Sequence, residues 1–76
     1  MATQQTAEGV ARELIGILVE AGRQPGSGMP AQSLRTKFGF ERPGFEAGYQ
    51  FAKSAGWITE PRTDFAVLTQ LGFDEA

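Results

Sequence analysis

Residues 45–69, FEAGYQFAKSAGWITEPRTDFAVLT, decide the fold because their apolar pattern changes period at Gly56. Before that glycine, the apolar and small residues recur at helical spacing and share one face: Phe45, Gly48, Tyr49 and Ala52. After it, residues 57–59 and 65–69 are rich in β-branched and aromatic side chains, which favour strands. The polar segment 60–64 connects these two runs. The stretch therefore predicts a helix that ends at Gly56, followed by a β-hairpin.

Upstream of this stretch, the first predicted helix begins near Thr6 and ends at Gly22. The Thr6 hydroxyl suits an N-cap, and a glycine readily takes the left-handed conformation that closes a helix. Apolar residues recur at helical spacing between these two positions: Val10, Leu14, Ile17, Leu18 and Ala21. They predict an amphipathic helix with one buried stripe.

A second helix is predicted between the first helix and the deciding stretch. It spans residues 30–38, because Pro30 suits a first helical turn and Gly39 follows the last apolar residue. The glycine-rich segment 23–28 is interpreted as a connecting loop, with a short strand at Met29. Residues 40–42 form a short turn, after which Pro43 opens the third helix.

These elements predict one α+β domain, mainly α with a small β-hairpin. The domain covers residues 6–72, with a loose tail at 1–5 and a C-terminal tail at 73–76. Its core is predicted from the shared helical faces and the alternation in the hairpin. The predicted core residues are Leu14, Ile17, Leu18, Leu34, Phe38, Phe45, Tyr49, Ala52, Trp57, Ile58 and Leu68.

Composition excludes several classes of chemistry. The 76 residues include no Cys and no His, which removes disulfides, thiolate or imidazole metal ligands, and catalysis by either residue. The serines and threonines have no His to activate them, and loop 23–28 lacks the Lys and hydroxyl of a phosphate-binding loop. We therefore expect a binding protein rather than an enzyme, without metal or cofactor.

Hydropathy and cysteine content indicate where the chain functions. Apolar runs such as residues 17–19 are far too short to span a membrane, and the N-terminus carries no secretory signal. Together with the absence of cysteine, these features predict a cytoplasmic protein without membrane association.

Charge is unevenly distributed along a chain whose net charge is -2. Residues 23–62 hold six basic and three acidic side chains, a net charge of +3, whereas the flanks hold one basic and six acidic, a net charge of -5. The basic middle is either a binding face or ordinary surface scatter.

Two segments resemble the winged helix-turn-helix family. Members often end the third helix with an apolar residue, three polar ones, Gly, an apolar residue and Ile or Val; residues 52–58, AKSAGWI, look similar. They often close the wing with an aromatic and then Leu-Thr, two residues and Gly; Phe65 and residues 68–72, LTQLG, are similar. The resemblance runs from Thr6 to Gly72 and implies a three-helix winged helix-turn-helix. The second and third helices would form the helix-turn-helix, and the third would enter the major groove.

The resemblance implies duplex DNA as partner and a role in transcription regulation. A helical projection of the third helix turns Glu46, Ala47 and Gln50 outward, where Gln50 can pair with adenine. Basic side chains nearby can reach phosphates, while Glu46 would oppose them. The candidate DNA-binding residues are Arg35, Lys37, Arg42, Gln50, Lys53 and Arg62.

Aromatic residues leave a second interpretation open. Phe51 either covers the edge of the first helix or anchors a protein-protein contact with a partner or a second copy. Trp57 is interpreted as core, with base stacking as its alternative, and Arg62 either enters a DNA groove or remains a solvated turn charge. Salt separates the two functions, because DNA binding weakens steeply as salt rises and apolar association does not.

Overall fold

The computed structural model describes residues 6–39 and 41–76; the predicted tail 1–5 and Phe40 of the predicted turn lie outside them. In chain order the elements are α1 (Ala7–Glu20), β1 (Gly28–Pro30), α2 (Ala31–Phe38), α3 (Phe45–Ser54), β2 (Ile58–Arg62), β3 (Phe65–Leu68) and α4 (Gln70–Glu75). The strands form an antiparallel sheet in the order β1-β3-β2. The described chain is therefore a small α+β domain with four helices and a three-stranded sheet.

The ends of α1 follow from its two terminal residues. The Thr6 hydroxyl accepts a hydrogen bond from the Gly9 backbone N–H at 3.0 Å, which satisfies a donor that the helix leaves unpaired. At the other end, Gly22 has φ of 82°, the left-handed conformation expected of it. Both predicted boundaries of the first helix are confirmed.

Both following helices begin later than predicted. Pro30 is the N-cap of α2 and the last residue of β1, so it lies before the helix and not within its first turn. Helix α3 begins at Phe45 and not at Pro43, because Gly44 between them has φ of 97° and the left-handed conformation interrupts the helix. Arg42 consequently lies in the α2–α3 connection, outside α3.

The hairpin is longer and its turn tighter than predicted. Strand β2 extends to Arg62, so only residues 63–64 form the turn, and Asp64 takes a left-handed φ of 60°. Arg62 is a strand residue beside the turn, whereas Trp57 precedes β2. On the other edge of β3, Met29 of β1 pairs with Ala66. The sheet therefore joins the predicted hairpin to the predicted short strand.

Helix α4 is absent from the prediction, which had three helices and treated residues 73–76 as a tail. The Thr69 hydroxyl caps α4 by accepting from the Gly72 N–H at 3.0 Å and donates to the Trp57 carbonyl at 2.9 Å. A six-residue helix with an internal glycine shows no helical periodicity. Hydrogen bonds of Thr69 begin the helix here, and residues 73–75 of the predicted tail form its second half.

The core lies between α1, α2, α3 and the sheet. Every predicted core residue is buried except Ile17, which is only partly buried. Five further apolar residues are buried: Val10, Ala11, Ile15, Met29 and Ala66. Ile15 is buried where burial of Ile17 was predicted. The buried face of α1 is therefore rotated about the helix axis from the predicted stripe.

Close packing of α1 on α3 depends on Gly48. A Cβ at this position would overlap the Val10 side chain of α1 and crowd the Ala11 backbone N–H. The absence of a side chain lets the two helices approach, and the opposite side of α3 faces solvent. This arrangement fixes which face of α3 is accessible.

Candidate nucleic-acid interface

An open groove with a volume of about 650 Å³ runs between α2, α3 and the hairpin. The buried rings of Phe45 and Tyr49 form its apolar base and stack with centroids 5.5 Å apart. The lining residues are Ala31, Gln32, Arg35, Phe45, Glu46, Tyr49, Gln50, Lys53, Glu60 and Asp64. The groove brings together three of the six predicted DNA-binding residues: Arg35, Gln50 and Lys53.

The outer face of α3 forms one side of this groove. Glu46, Ala47 and Gln50 are exposed, as the helical projection predicted. The opposite face packs on α1. Because Gln50 is exposed and its neighbour Ala47 has a small side chain, an extended ligand can lie along this helix.

Arg35 reaches the groove from α2 and contacts two groups of α3. Its Nη1 lies 3.5 Å from Glu46 Oε2, and its guanidinium lies 5.3 Å from the centre of the Phe45 ring. The Arg35 side chain is 43% exposed and the Glu46 side chain 71% exposed. An ion pair this exposed contributes about 0–1 kcal/mol, so another anion can replace the carboxylate.

Lys53 is held more firmly than Arg35. Its Nζ donates to Glu60 Oε1 at 3.1 Å, and the Tyr49 hydroxyl donates to Glu60 Oε2 at 2.9 Å. These hydrogen bonds hold the pKa of Glu60 below its ordinary value, while burial and then the Glu60 hydrogen bond raise the pKa of Tyr49. Lys53 is therefore committed to the hairpin, so it is less available to phosphate than predicted.

Arg42 belongs to a different part of the molecule from the one predicted. Its Nη2 donates to Glu13 Oε1 of α1 at 3.0 Å, and its Nη1 donates to the Phe38 carbonyl at 3.0 Å. The guanidinium also lies 4.1 Å from the centre of the Phe38 ring. The hydrogen bond to Glu13 raises the pKa of Arg42. Arg42 therefore fixes the α2–α3 connection against α1, outside the groove that Gln50 and Lys53 line.

The remaining two predicted cations lie outside the groove. Lys37, on another side of α2, lines a shallow depression of about 510 Å³ together with Ile17 and Glu20 of α1. Arg62 packs its guanidinium 4.5 Å from the centre of the Phe65 ring within the hairpin. Neither Lys37 nor Arg62 forms an ion pair among residues 6–39 and 41–76.

Charge on the groove side is nearly balanced, and the rest of the surface is acidic. Arg35 and Lys53 face three carboxylates in the groove, those of Glu46, Glu60 and Asp64. Arg62 lies on the adjacent strand β2. By contrast, α1 and α4 carry one arginine and five carboxylates: Glu8, Glu13, Glu20, Asp74 and Glu75. The groove side is thus the least negative side of the described chain.

A second surface feature is apolar and lies near Trp57. Trp57 itself is buried, as predicted, and the partly buried Phe51 packs edge-on to it with ring centroids 5.5 Å apart. On α4, Leu71 is 52% exposed and Phe73 is 39% exposed. Sequence reasoning singled out Phe51 and missed Leu71 and Phe73, because it predicted no helix at their positions.

The described part of the chain adds two findings. No group of three or more metal-ligating side chains occurs in it, and none of its helices is both long and apolar enough to cross a membrane. The chain has no significant match among protein-family models, curated proteins or solved structures.

Proposed function

We propose that this chain is a winged helix-turn-helix domain that binds duplex DNA as a regulator of transcription. One observation carries the proposal: α1 covers one face of α3, and the other face remains exposed beside the hairpin with Ala47 and Gln50 on it. A helix exposed in this way can enter the major groove while an adjacent hairpin reaches the DNA backbone. The order of the elements and the strand order β1-β3-β2 support the assignment.

Base recognition in this proposal belongs to α3. The Gln50 amide pairs with the N6 and N7 atoms of adenine, and the methyl group of Ala47 contacts a thymine methyl. Both side chains are exposed and lie about one helical turn apart. They define a short recognition surface that favours A·T pairs.

Phosphate contacts come from a revised set of cations. Arg35 exchanges its exposed Glu46 partner for phosphate at little cost, and Arg62 lies on the adjacent hairpin. Lys37 is not included, because it lies on another side of α2, beside α1. Arg42 is no longer included, because its guanidinium is used within the protein. The carboxylates of Glu46, Glu60 and Asp64 repel phosphate and keep the affinity of one copy low. Two copies on paired half-sites would supply useful affinity.

Titration of the isotope-labelled chain with a short A·T-containing duplex tests the proposal. Backbone amide signals of α3 and the hairpin should shift at low salt and return towards their free positions as salt rises. Gln50→Ala should lower discrimination for the A·T site by roughly tenfold. Ser54→Ala, another change at an exposed position of α3, should leave it unchanged. A duplex that moves no amide between residues 45 and 64 would contradict DNA binding.

The apolar surface near Trp57 favours a second candidate function, a protein-protein contact. Leu71 and Phe73 are the two exposed large apolar side chains of the described chain, and Leu71 lies beside Gly56, next to Trp57 and its neighbour Phe51. Aromatic residues in such patches often dominate binding energy. Phe51→Ser and Leu71→Ser should each weaken self-association or partner binding, measured by sedimentation at high salt. Retention of the complex in both variants would exclude this surface.

A further inference from the structure

Glu60 lies at an irregularity in the hairpin. Thr59 pairs with Val67 and Arg62 with Phe65, so two residues of β2, Glu60 and Pro61, oppose the single residue Ala66 of β3. This is a β-bulge, which bends a strand and redirects its side chains. Pro61 suits it, since a proline donates no hydrogen bond to the ladder. The bulge thus separates the base of the hairpin, where Ile58 and Thr59 pair with β3, from its outer part, where Arg62 pairs with Phe65.

The Glu60 carboxylate connects this bulge to α3 through both of its oxygens. Oε2 accepts from the Tyr49 hydroxyl at 2.9 Å, and Oε1 accepts from Lys53 Nζ at 3.1 Å. Tyr49 and Lys53 lie four residues apart and therefore share one face of the helix. The Lys53 and Glu60 side chains are 29% and 25% exposed, which makes this the least exposed ion pair among the described residues. Restricted contact with water strengthens both hydrogen bonds.

We infer that Glu60 is a positioning residue: it holds the outer hairpin against α3 so that Arg62 and Gln50 contact one duplex together. The inference rests on the proposed function and adds to it. By charge alone, the Glu60 carboxylate in the groove would weaken DNA binding. As a positioning residue, Glu60 instead favours DNA binding. Lys53 and Tyr49 act through Glu60, so Lys53 contributes to DNA binding mainly by orienting the hairpin.

Positioning and simple charge repulsion predict opposite effects when the carboxylate is removed. Loss of a negative charge near phosphates should tighten binding, as expected for any carboxylate of the groove. Loss of the anchor should weaken binding, because Arg62 then leaves the DNA backbone. Asp64 provides the matched control, since it lines the same groove and Asn tolerates its left-handed φ of 60° well.

The test compares Glu60→Ala, Glu60→Gln and Asp64→Asn for binding to the same duplex over a range of salt. Glu60→Ala should weaken binding and lower the log-log salt slope by about one, the contribution of a single phosphate contact. Glu60→Gln, which still accepts from Tyr49, should restore part of the affinity. Asp64→Asn should tighten binding modestly. If Glu60→Ala tightens DNA binding as Asp64→Asn does, the positioning role of Glu60 is wrong.

A double-mutant cycle with Arg62 makes the test specific to the hairpin. Arg62→Ala should lower the salt slope in the parent chain but have no further effect in Glu60→Ala, because the two changes remove one contact. An undiminished effect of Arg62→Ala would overturn the inference. Thermal unfolding followed by Trp57 fluorescence checks that each variant is folded.

Amide hydrogen exchange without DNA separates this inference from the proposed function. Residues 62–64 should exchange faster in Glu60→Ala than in the parent, whereas α1 should not change. Unchanged exchange in residues 62–64 would overturn the positioning role alone. Absence of duplex binding by the parent chain would overturn the proposed function and, with it, the DNA-binding purpose of the anchor.

Discussion

The Arg42 guanidinium joins three parts of the chain: the end of α2, the α2–α3 connection and α1. A planar group with several donors can satisfy a carboxylate and a carbonyl together, and Arg42 does so with Glu13 and Phe38. Its alkyl and guanidinium surfaces also cover the Phe38 ring. A residue with these contacts stabilises the orientation of α3 without facing a ligand.

Substitution of Arg42 should therefore affect stability and not DNA contact. Arg42→Gln should lower the melting temperature, because Glu13 and the Phe38 carbonyl lose their donors. The salt slope of duplex binding should remain that of the parent. Arg35→Gln is the matched control and should do the reverse: it should lower the salt slope with little change in melting temperature, because the Arg35 ion pair is exposed. A reduced salt slope for folded Arg42→Gln would show that Arg42 contacts DNA phosphate.

Tyr49, the single tyrosine of the chain, gives a direct report on the groove at alkaline pH. Burial, together with the hydrogen bond to Glu60, raises the pKa of its hydroxyl above the ordinary value of 10.0. The folded state thus retains a proton that the unfolded state loses, so this contribution to stability is complete below pH 10 and declines as pH rises further. Tyrosinate absorbance should appear only well above pH 10 in the folded protein.

Glu60→Gln provides the control for this titration. The neutral amide still accepts a hydrogen bond but no longer places a negative charge beside the hydroxyl, so Tyr49 should ionise at a lower pH than in the parent. Ionisation of Tyr49 at its ordinary pKa in the parent chain would show that the hydroxyl is not held as described.

Replacing a helical glycine with alanine should have opposite effects on stability in α3 and in α1. Gly48→Ala should destabilise the fold by about 1–3 kcal/mol, since the new methyl group overlaps Val10 and crowds the α1 backbone. The gain in helix propensity, about 1 kcal/mol, does not offset this. Gly16→Ala in α1 has nothing within 4 Å of the added Cβ and should stabilise by about 0.5–1 kcal/mol. Denaturant unfolding measures the free energy of unfolding of both variants. Equal effects would contradict the packing of α1 on α3.

Thr69 determines whether α4 forms. Thr69→Val keeps the shape of the side chain but removes the cap of α4 and the donor to the Trp57 carbonyl, which should cost about 1–2 kcal/mol. Thr69→Ser should retain most of the stability. Loss of α4 should appear as increased hydrogen exchange at Gly72 and Phe73, and unchanged exchange in Thr69→Val would contradict the capping role.

Local signals in the sequence predicted every element of the described chain except α4, but not the pairing of distant groups. Thr6, Gly22 and Gly56 act on their immediate neighbours, so the first helix and the change from helix to strand were predictable. Helix α4 was not, because it depends on Thr69 contacting Gly56 and Trp57. Likewise, the outward face of α3 follows from helical geometry, whereas the partners of Arg42 and Lys53 are carboxylates on other elements. No periodicity encodes those partners.

Charge over the whole molecule limits how strongly it can bind DNA. At most three cations border the interface, Arg35, Lys53 and Arg62, so the log-log salt slope should be roughly -1 to -3. Glu46→Gln should tighten binding by removing both a repulsive charge and the partner of Arg35. Fluorescence anisotropy of a labelled duplex over a salt series measures the salt slope and the affinity of the Glu46→Gln variant. A slope near zero would indicate that apolar contacts, not phosphates, hold the partner.

The strand order β1-β3-β2 also limits when the sheet can form during synthesis. The middle strand is the last of the three along the chain, and each of the other two is hydrogen-bonded to it alone. While the ribosome has yet to release residues 65–68, β1 and β2 have no partner strand, although all the residues of α1, α2 and α3 already exist. The helices can collapse early, but neither pair of strands can form before β3 is available. Until then the nascent chain depends on helical contacts alone to cover its apolar residues.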